Sequence, residues 1–135
     1  MATLRLEIVT PEARIYSEDV DMVTLPGVEG EMGIYPAHIP LMTQVNHGEI
    51  IARRGGQDYY LAIGEGFAEI NGERVAILTD MAVKADDIDE VKAEEARKRA
   101  EARLAEKLSD EETATLQATL AHSLAQLKVK RRHRG

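Results

Sequence analysis

The chain has 135 residues, a net charge of −7 and no cysteine. This length is enough to bury a core without a covalent staple. The missing cysteines exclude a disulfide framework, a thiolate metal site and a cysteine nucleophile. The four histidines show no paired-ligand spacing such as i, i+4 on a helix, so we expect no metal site. No run approaches the roughly 18 apolar residues of a membrane span, and the first residues show no signal-peptide pattern.

The acidic excess lies entirely in the front of the chain. Residues 1–85 carry thirteen acids against six bases, whereas residues 86–135 carry eleven of each. A protein that binds nucleic acid usually presents a broad basic face with interleaved aromatic residues, and none is visible here. The charge pattern therefore excludes nucleic acid as the main partner.

Short apolar segments, punctuated by turn residues, fill residues 1–85. Leu4 to Thr10 alternates with period two, which is typical of a strand with one buried face. The predicted strands cover residues 4–10, 14–16, 20–25, 41–46, 48–53, 59–62, 66–70 and 74–79. Asn71-Gly72 gives the clearest hairpin signal, because both central residues of its favoured turn need φ > 0. Many short strands at near-regular spacing indicate a β-sandwich or barrel.

The stretch Gly30–Thr43 is the most locally specified part of the chain. Pro36 and Pro40 each hold φ near about −65° and remove an N–H donor, so we expect a rigid connection that displays His38 and Ile39. A general-base role for His38 would need a nucleophile or carboxylate partner, and the sequence specifies neither. We therefore expect a contact or turn-stabilising histidine in a docking loop.

At Asp86 the pattern changes to the helical period, which predicts a second domain over residues 86–135. Asp87 and Glu90 form a candidate capping box, so a helix is predicted from there to about Leu108. Residues 109–112 form a second capping box, so we expect another helix through roughly Lys130. The two helices form a hairpin.

The predicted hairpin has little apolar surface to bury. Alanines supply most of the apolar stripe on the first helix, and leucine and alanine stripes occupy unlike faces of the second. An alanine seam yields only a few kcal/mol at about 25 cal/mol per Å², against an ordering cost of about 1 to 2 kcal/mol per residue. We therefore expect a stable β domain that carries a detachable helical arm.

The motif series resembles one family over essentially the whole chain: the epsilon subunit of the bacterial and chloroplast F-type ATP synthase. The blocks that carry the resemblance are Val9-Thr10-Pro11, Gly30-Glu31-Met32-Gly33-Ile34-Tyr35-Pro36-Ala37-His38-Ile39-Pro40-Leu41, Gly66-Phe67-Ala68-Glu69-Ile70 and Val75-Ala76-Ile77-Leu78-Thr79-Asp80. The resemblance implies a ten-stranded β-sandwich, residues 1–85, followed by a two-helix hairpin, residues 86–135. It also implies a non-catalytic rotor subunit of a proton- or sodium-translocating enzyme, peripheral on the cytoplasmic face of the bacterial plasma membrane.

The resemblance assigns partners to individual residues. Glu31 and His38 are implied to contact the c-subunit ring. Pro40, Leu41 and Met42 are expected to be plain core, part of a patch that faces the gamma subunit, or both at once. The arm is implied to extend along gamma and to restrain ATP hydrolysis. In that extended position its bases would meet acidic residues of the catalytic beta/alpha subunits. Those bases are Arg97, Lys98, Arg99, Arg103, Lys128, Lys130, Arg131 and Arg132.

In a folded-down arm the same bases would form a solvated face. Lys98 and Arg99 stand four residues after Glu94 and Glu95, so two i, i+4 ion pairs are expected there. Lys128, Lys130 and the arginines that follow, including Arg134, would complement the negative end of the helix dipole.

The chain departs from the family pattern at three positions. Ala37 stands where the family usually has glycine, and Glu65 replaces another common glycine. Some members bind ATP through an Ile/Leu-Asp-x-x-Arg-Ala motif, which here corresponds to Ile88, Asp89, Lys92 and Ala93. Lysine keeps the charge but loses the planar bidentate fork of arginine. We therefore expect no required cofactor and ATP binding that is weak or absent.

Two other function classes remain open. An ATP-sensing switch would use Asp89 and Lys92 of the hairpin. A small hydrolase or lectin-like sandwich would need convergent polar groups, and the sequence offers none.

Overall fold

A computed structural model describes residues 2–133 of the chain. Ten strands come first, followed by a short 3₁₀ turn at Ala85–Asp87 and two helices. The strands are β1 (Leu4–Val9), β2 (Arg14–Val20), β3 (Met22–Gly27), β4 (Gly30–Ile34), β5 (Leu41–Val45), β6 (Gly48–Arg54), β7 (Gln57–Ile63), β8 (Gly66–Ile70), β9 (Arg74–Thr79) and β10 (Ala82–Lys84). The helices are α1 (Glu90–Leu104) and α2 (Asp110–His133). The predicted class, a β-sandwich followed by a helical hairpin, is confirmed.

One hydrogen-bonded path runs β10-β7-β6-β3-β5-β8-β9-β1-β2, with β4 added to β3. Within residues 2–133 only the β1–β9 pair is parallel. The path folds over one core, so that Arg54 at the end of β6 lies 3.7 Å from Glu18 on β2. Alternate strand residues face inward, because successive side chains of a strand point to opposite sides. The largest fully buried side chains include Leu4, Leu6, Ile8, Leu25, Ile50, Leu61, Ile63 and Ile77.

The alternation of apolar and polar residues predicted eight of the ten strands and missed β4 and β10. β4 lies inside the stretch expected to be a connection, and it forms a hairpin with β3 in which Val23 pairs with Ile34. Its alternation is weak because Gly30 and Gly33 occupy two of its five positions. β10 has only three residues. The run predicted over residues 20–25 is divided at Asp21 into the end of β2 and the start of β3.

The β8–β9 hairpin is confirmed, but the predicted turn geometry at Asn71-Gly72 is wrong. Neither residue has a positive φ. Instead the Asn71 side-chain oxygen accepts hydrogen bonds from the backbone N–H groups of Glu73 and Arg74, at 2.9 and 2.8 Å. This is an Asx turn, which a short polar side chain can form in place of a backbone turn. The two-residue turn with positive φ at both positions is Gly55-Gly56, between β6 and β7.

The helix starts and ends differ from the expectation at three points. α1 is capped by Asp89, whose carboxylate accepts from the Lys92 N–H at 3.1 Å, and not by Asp87, which lies in the 3₁₀ turn. α1 ends at Leu104, short of Leu108. The N–H groups of Ala105 and Glu106 donate to carbonyl oxygens three residues back instead of four, which is the 3₁₀ pattern common at the end of a helix. α2 continues past Lys130 to His133, and Arg134 lies outside the described residues. Within the described part, no helix is long and apolar enough to cross a membrane.

The second capping box is confirmed. The Ser109 hydroxyl accepts from the Glu112 N–H at 3.2 Å, and the Glu112 carboxylate accepts from the Ser109 N–H at 3.3 Å. The Glu112 carboxylate also accepts from the Ser109 hydroxyl at 3.0 Å. The bonds that this carboxylate accepts, first from the Ser109 backbone N–H and then from the hydroxyl, hold its pKa below its usual range. The reciprocal bonds satisfy donors that a helix start otherwise leaves open.

Candidate functional site

Strand β4 and the loop between β4 and β5 carry the two residues that the resemblance assigns to the c-ring. Glu31 is exposed on β4, opposite Pro26 of β3. His38 is partly exposed, with its Nδ1 2.6 Å from the carbonyl oxygen of Ile39, which is itself 77% exposed. Within residues 2–133, His38 has no carboxylate or nucleophile as a hydrogen-bond partner. The surroundings of His38 are those of a surface contact residue.

Ala37 holds this loop in an unusual backbone conformation. Its φ is +68°, which makes it the one residue other than glycine with a positive φ in the described part of the chain. The Ala37 N–H donates to the Gly72 carbonyl oxygen at 2.8 Å, so the loop is tied to the β8–β9 turn. A β-carbon disfavours the left-handed region because it crowds the backbone. The position that departs from the family's glycine is therefore one where glycine would fit without strain.

Three large apolar side chains share the outer surface of β5, β8 and β9. Met42, Phe67 and Leu78 are 67%, 52% and 55% exposed. Phe67 pairs directly with Leu78 across β8 and β9, and it also pairs with Gln44, two residues from Met42 on β5. Directly paired residues and residues two apart in a strand lie on the same side of a sheet. We call Met42, Phe67 and Leu78 the docking face.

The structure tests the interpretation of Pro40, Leu41 and Met42 as core residues. All three are exposed, so the reading of these residues as core is wrong. Phe67 and Leu78 were not singled out by sequence reasoning. A signal was present, since the inward positions of β8 are Ala68 and Ile70 and the alternation therefore points the chain's one phenylalanine outward. An exposed cluster of this kind marks an interaction site more often than scattered single residues do.

The helical arm packs on the sandwich beside β6, β7 and β10. Its apolar contact consists of Ala125 and Val129 from α2, together with Ile88 from the connection and Ala62 from β7. Partly buried side chains around it are Tyr60, Met81, Val83 and Ala85. Between the helices Ala93, Ala100 and Leu127 are buried, whereas Leu124 of the leucine stripe is 46% exposed. The arm therefore presents mostly small side chains to its neighbours.

The arm's bases divide into paired and unpaired sets. Arg97 contacts Glu94 and Glu101, and Arg103 contacts Glu106 and Glu112. Hydrogen bonds from Arg97, and then from Arg131, hold the pKa of the Glu94 carboxyl below its usual range.

The prediction of two i, i+4 ion pairs in α1 is wrong. Arg97 and Arg131 occupy Glu94 in place of Lys98, and no ion pair joins Glu95 to Arg99. Among residues 2–133, no ion pair involves Lys98, Arg99 or Lys128.

The last turn of α2 carries three further basic contacts. Arg131 reaches Glu90 and Glu94 on α1, at 2.8 and 2.7 Å. Arg132 lies 3.1 Å from Glu49 of β6. Lys130 donates to the backbone carbonyl oxygen of Ala85 at 3.1 Å.

The residues of the ATP-motif resemblance already have structural roles. Ile88 is 5% exposed and packs between the domains, Asp89 caps α1, and Ala93 is 4% exposed. Lys92 is exposed on the first turn of α1. Among the described residues no group of three or more histidine or carboxylate side chains could hold a metal ion.

Two family descriptions match the chain in sequence order. Residues 3–85 match "ATP synthase, Delta/Epsilon chain, beta-sandwich domain", and residues 86–131 match "ATP synthase, Delta/Epsilon chain, long alpha-helix domain". The ATP synthase epsilon chain of Dehalococcoides mccartyi strain BAV1 is 44% identical over 135 residues, covering 99% of this chain and 96% of that protein. The epsilon chain of Laribacter hongkongensis is 39% identical, covering 96% of this chain and 94% of that protein.

A solved structure has the same architecture. A chain of the Euglena gracilis mitochondrial ATP synthase, in a structure of OSCP, F1 and the c-ring, superposes with a TM-score of 0.76 at 26% identity. The match covers 95% of this chain and 81% of the Euglena chain. The chain therefore belongs to the delta/epsilon-chain family of the ATP synthase, as an epsilon-type component of the central stalk that is not itself catalytic.

Proposed function

We propose that this subunit joins gamma to the c-ring through its sandwich and restrains ATP hydrolysis through its arm when the arm extends. The observation that carries the proposal is the separation of surfaces. The docking face and the β4–β5 loop lie open on the sandwich, while the arm occupies other strands through small and charged side chains. One part of the molecule can therefore stay bound while the other moves. No cofactor is required for either role.

The docking face is the proposed gamma contact, with Pro40 and Leu41 at its edge. Burying a large apolar side chain contributes roughly 1.5 to 3 kcal/mol, and each 1.4 kcal/mol is tenfold in affinity. Phe67→Ser or Leu78→Ser should therefore weaken binding to purified gamma about tenfold or more, as measured by calorimetry. Val91→Ser is the matched control, because Val91 is 67% exposed but lies on α1. Equal affinities of all the variants for gamma would show that the docking face is not the gamma contact.

Strand β4 and the β4–β5 loop are the proposed c-ring contact, through Glu31 and His38. Both side chains are at least partly exposed, and Ile39 adds apolar area next to His38. Glu31→Ala and His38→Ala should weaken retention of the subunit on purified c-ring in a complex that contains gamma. Glu12→Ala, also on an exposed turn, is the control. Unchanged retention in both variants would move the contact elsewhere.

The arm is the proposed brake on hydrolysis. Among residues 2–133, Lys98, Arg99 and Lys128 have no ion pair in the docked arm. Arg103, Arg131 and Arg132 have partners outside their own helix, at Glu112, Glu90 and Glu49, and lose them when the two helices part and leave the sandwich. The pairs of Arg97 with Glu94 and Glu101 lie within α1 and do not depend on docking. In an extended arm these bases, with Lys130, meet acidic residues of the catalytic beta/alpha subunits. Deleting residues 86–135 should leave assembly intact and raise the ATPase activity of the complex. An unchanged activity, with and without ATP preincubation, would refute the brake.

An ATP-sensing hairpin is the second candidate, favoured by the motif at Ile88, Asp89, Lys92 and Ala93. The side chain of Lys92 is exposed and has no ion pair among residues 2–133, so it is available to a phosphate. Calorimetry of the isolated chain with ATP, with Lys92→Gln as control, tests it. An absence of binding in the millimolar range would remove the candidate. For the assembled subunit we propose a peripheral position at the cytoplasmic face of the bacterial plasma membrane.

A further inference from the structure

The last turn of α2 makes a dense set of contacts with the sandwich. The His133 ring stacks on Tyr60 of β7, with 3.4 Å between ring centroids and 11° between planes. His133 Nε2 lies 2.5 Å from one Glu49 carboxylate oxygen, and Arg132 donates to the other at 3.1 Å. We call Arg132 and His133, with Glu49 and Tyr60, the clasp.

The clasp is covered on the side of Glu49 and His133. The Glu49 side chain is 10% exposed and that of His133 is 16% exposed, whereas that of Arg132 is 55% exposed. Water screens a covered pair less than an exposed one, so such contacts count for more than ordinary surface ion pairs. Each Glu49 oxygen is bonded to a different residue of α2. Both contacts are therefore lost together when the arm leaves.

The other half of α2 is held far less tightly. A gap of about 330 Å³ separates its alanines from the sandwich, lined on one side by Ala114 and Ala118 and on the other by Glu65 and Asp80. A single polar contact, His122 Nε2 to an Asp80 carboxylate oxygen at 3.1 Å, crosses near this gap, and the Asp80 side chain is 51% exposed. Attachment of α2 to the sandwich is therefore concentrated in residues 125–133.

We propose that the surface formed by Glu49 and Tyr60 is a binding site for the chain's own last helical turn, and that this clasp decides whether the arm is docked or free. It lies beside the connection between the domains, since Lys130 of the same turn bonds the Ala85 carbonyl oxygen. Loss of the clasp frees α2 at the end that lies next to the connection between the domains. A rotation at that end moves the distant loop between the two helices the furthest. The link to hydrolysis rests on the proposed function, but docking itself does not.

The isolated chain provides the test. Because the chain has no cysteine, spin labels can be placed at Glu12→Cys on the sandwich and Lys107→Cys in the loop between the helices, both exposed positions. Pulsed electron resonance then gives the fraction of molecules with the arm docked. Glu49→Gln should raise the ratio of free to docked arms by about tenfold, since a covered partner is lost. Glu69→Gln, an exposed carboxylate on β8, should leave it unchanged.

A second variant guards against misfolding of the sandwich. Arg132→Gln combined with His133→Gln changes only the end of α2 and should release the arm to a similar extent. Added salt should free the arm of the parent chain and have a smaller effect on Glu49→Gln. Unchanged distance distributions in both variants would overturn the clasp. A released arm that leaves ATP hydrolysis unaffected would instead count against the brake and leave the clasp standing.

Discussion

Replacing Ala37 with glycine should make the sandwich more stable, which is the opposite of the usual effect of that substitution. Ala37 has φ at +68° and is exposed, so the methyl group adds strain without burying apolar area. The left-handed conformation costs an L-residue about 1 to 2 kcal/mol. Glycine removes that cost but gives the unfolded chain additional freedom, which costs about 0.4 to 1 kcal/mol. The net expectation is a gain of up to about 1.6 kcal/mol, with a central value of about 0.8 kcal/mol.

Thermal unfolding measured by near-UV circular dichroism reports on this change. All four tyrosines lie within residues 1–85, so the signal follows mainly the sandwich, and only Tyr60, which stacks on His133, also senses the arm. A gain of this size should raise the midpoint by about 2 to 4 °C for a chain of this length. The hydrogen bond from residue 37 to Gly72 needs only the backbone, so glycine retains it.

Ala13→Gly is the matched control. Ala13 is also an exposed alanine in a turn, but its φ is not positive. The same substitution should there lower stability by about 0.4 to 1 kcal/mol, because only the unfolded chain gains freedom. The two variants should therefore shift the midpoint in opposite directions. A lowered midpoint for Ala37→Gly would refute the argument that strain is stored at this loop.

Four further predictions concern packing and capping. Gly66→Ala should prevent the sandwich from folding, seen as loss of the tyrosine signal, because a Cβ there would overlap the carbonyl oxygen of Leu78. Ile88→Ala should lower the free energy of unfolding by about 2 kcal/mol or more, measured in urea, because Ile88 is 5% exposed between the domains. Ser109→Ala should speed hydrogen exchange in the first turn of α2 and cost about 1 kcal/mol. Because the folded-state pKa of Glu112 is lowered, its stabilising effect is present above the unfolded pKa of about 4.3 and is lost as pH falls through the folded value. Glu112→Gln should flatten that acid limb of the unfolding midpoint.

Local patterns predicted most of the fold because the two parts of the chain have different periods. Alternation over Leu4 to Thr10 requires one buried face, and the structure buries Leu4, Leu6 and Ile8. The capping box at Ser109 and Glu112 is equally local and appears as expected. β4 escaped detection because glycines occupy two of its positions and it is stabilised by pairing with β3. The Asx turn at Asn71 was missed because the same residue pair favours two different turns.

Some residues of the candidate site were predicted from the sequence, whereas others were identified only in the structure. Motif resemblance led to Glu31, His38 and the segment Pro40–Met42, which all lie at the surface. Phe67 and Leu78 joined the docking face only when strand register placed them opposite each other. The predicted ion pairs of the arm were wrong because i, i+4 spacing considers only partners on the same helix and ignores side chains of the neighbouring helix. Arg131 reaches Glu94 across the hairpin and leaves Lys98 without that partner.

The sequence by itself determined the two-domain plan, the positions of the turns and the inward face of most strands, because these follow from periodicity and from residues that restrict the backbone. Only the tertiary structure decided which surfaces stay open and what holds the arm down. The contact between Glu49 and His133 joins residues 84 positions apart. No local pattern encodes such a pair, since it depends on how the completed sandwich presents β6 and β7 to the end of α2.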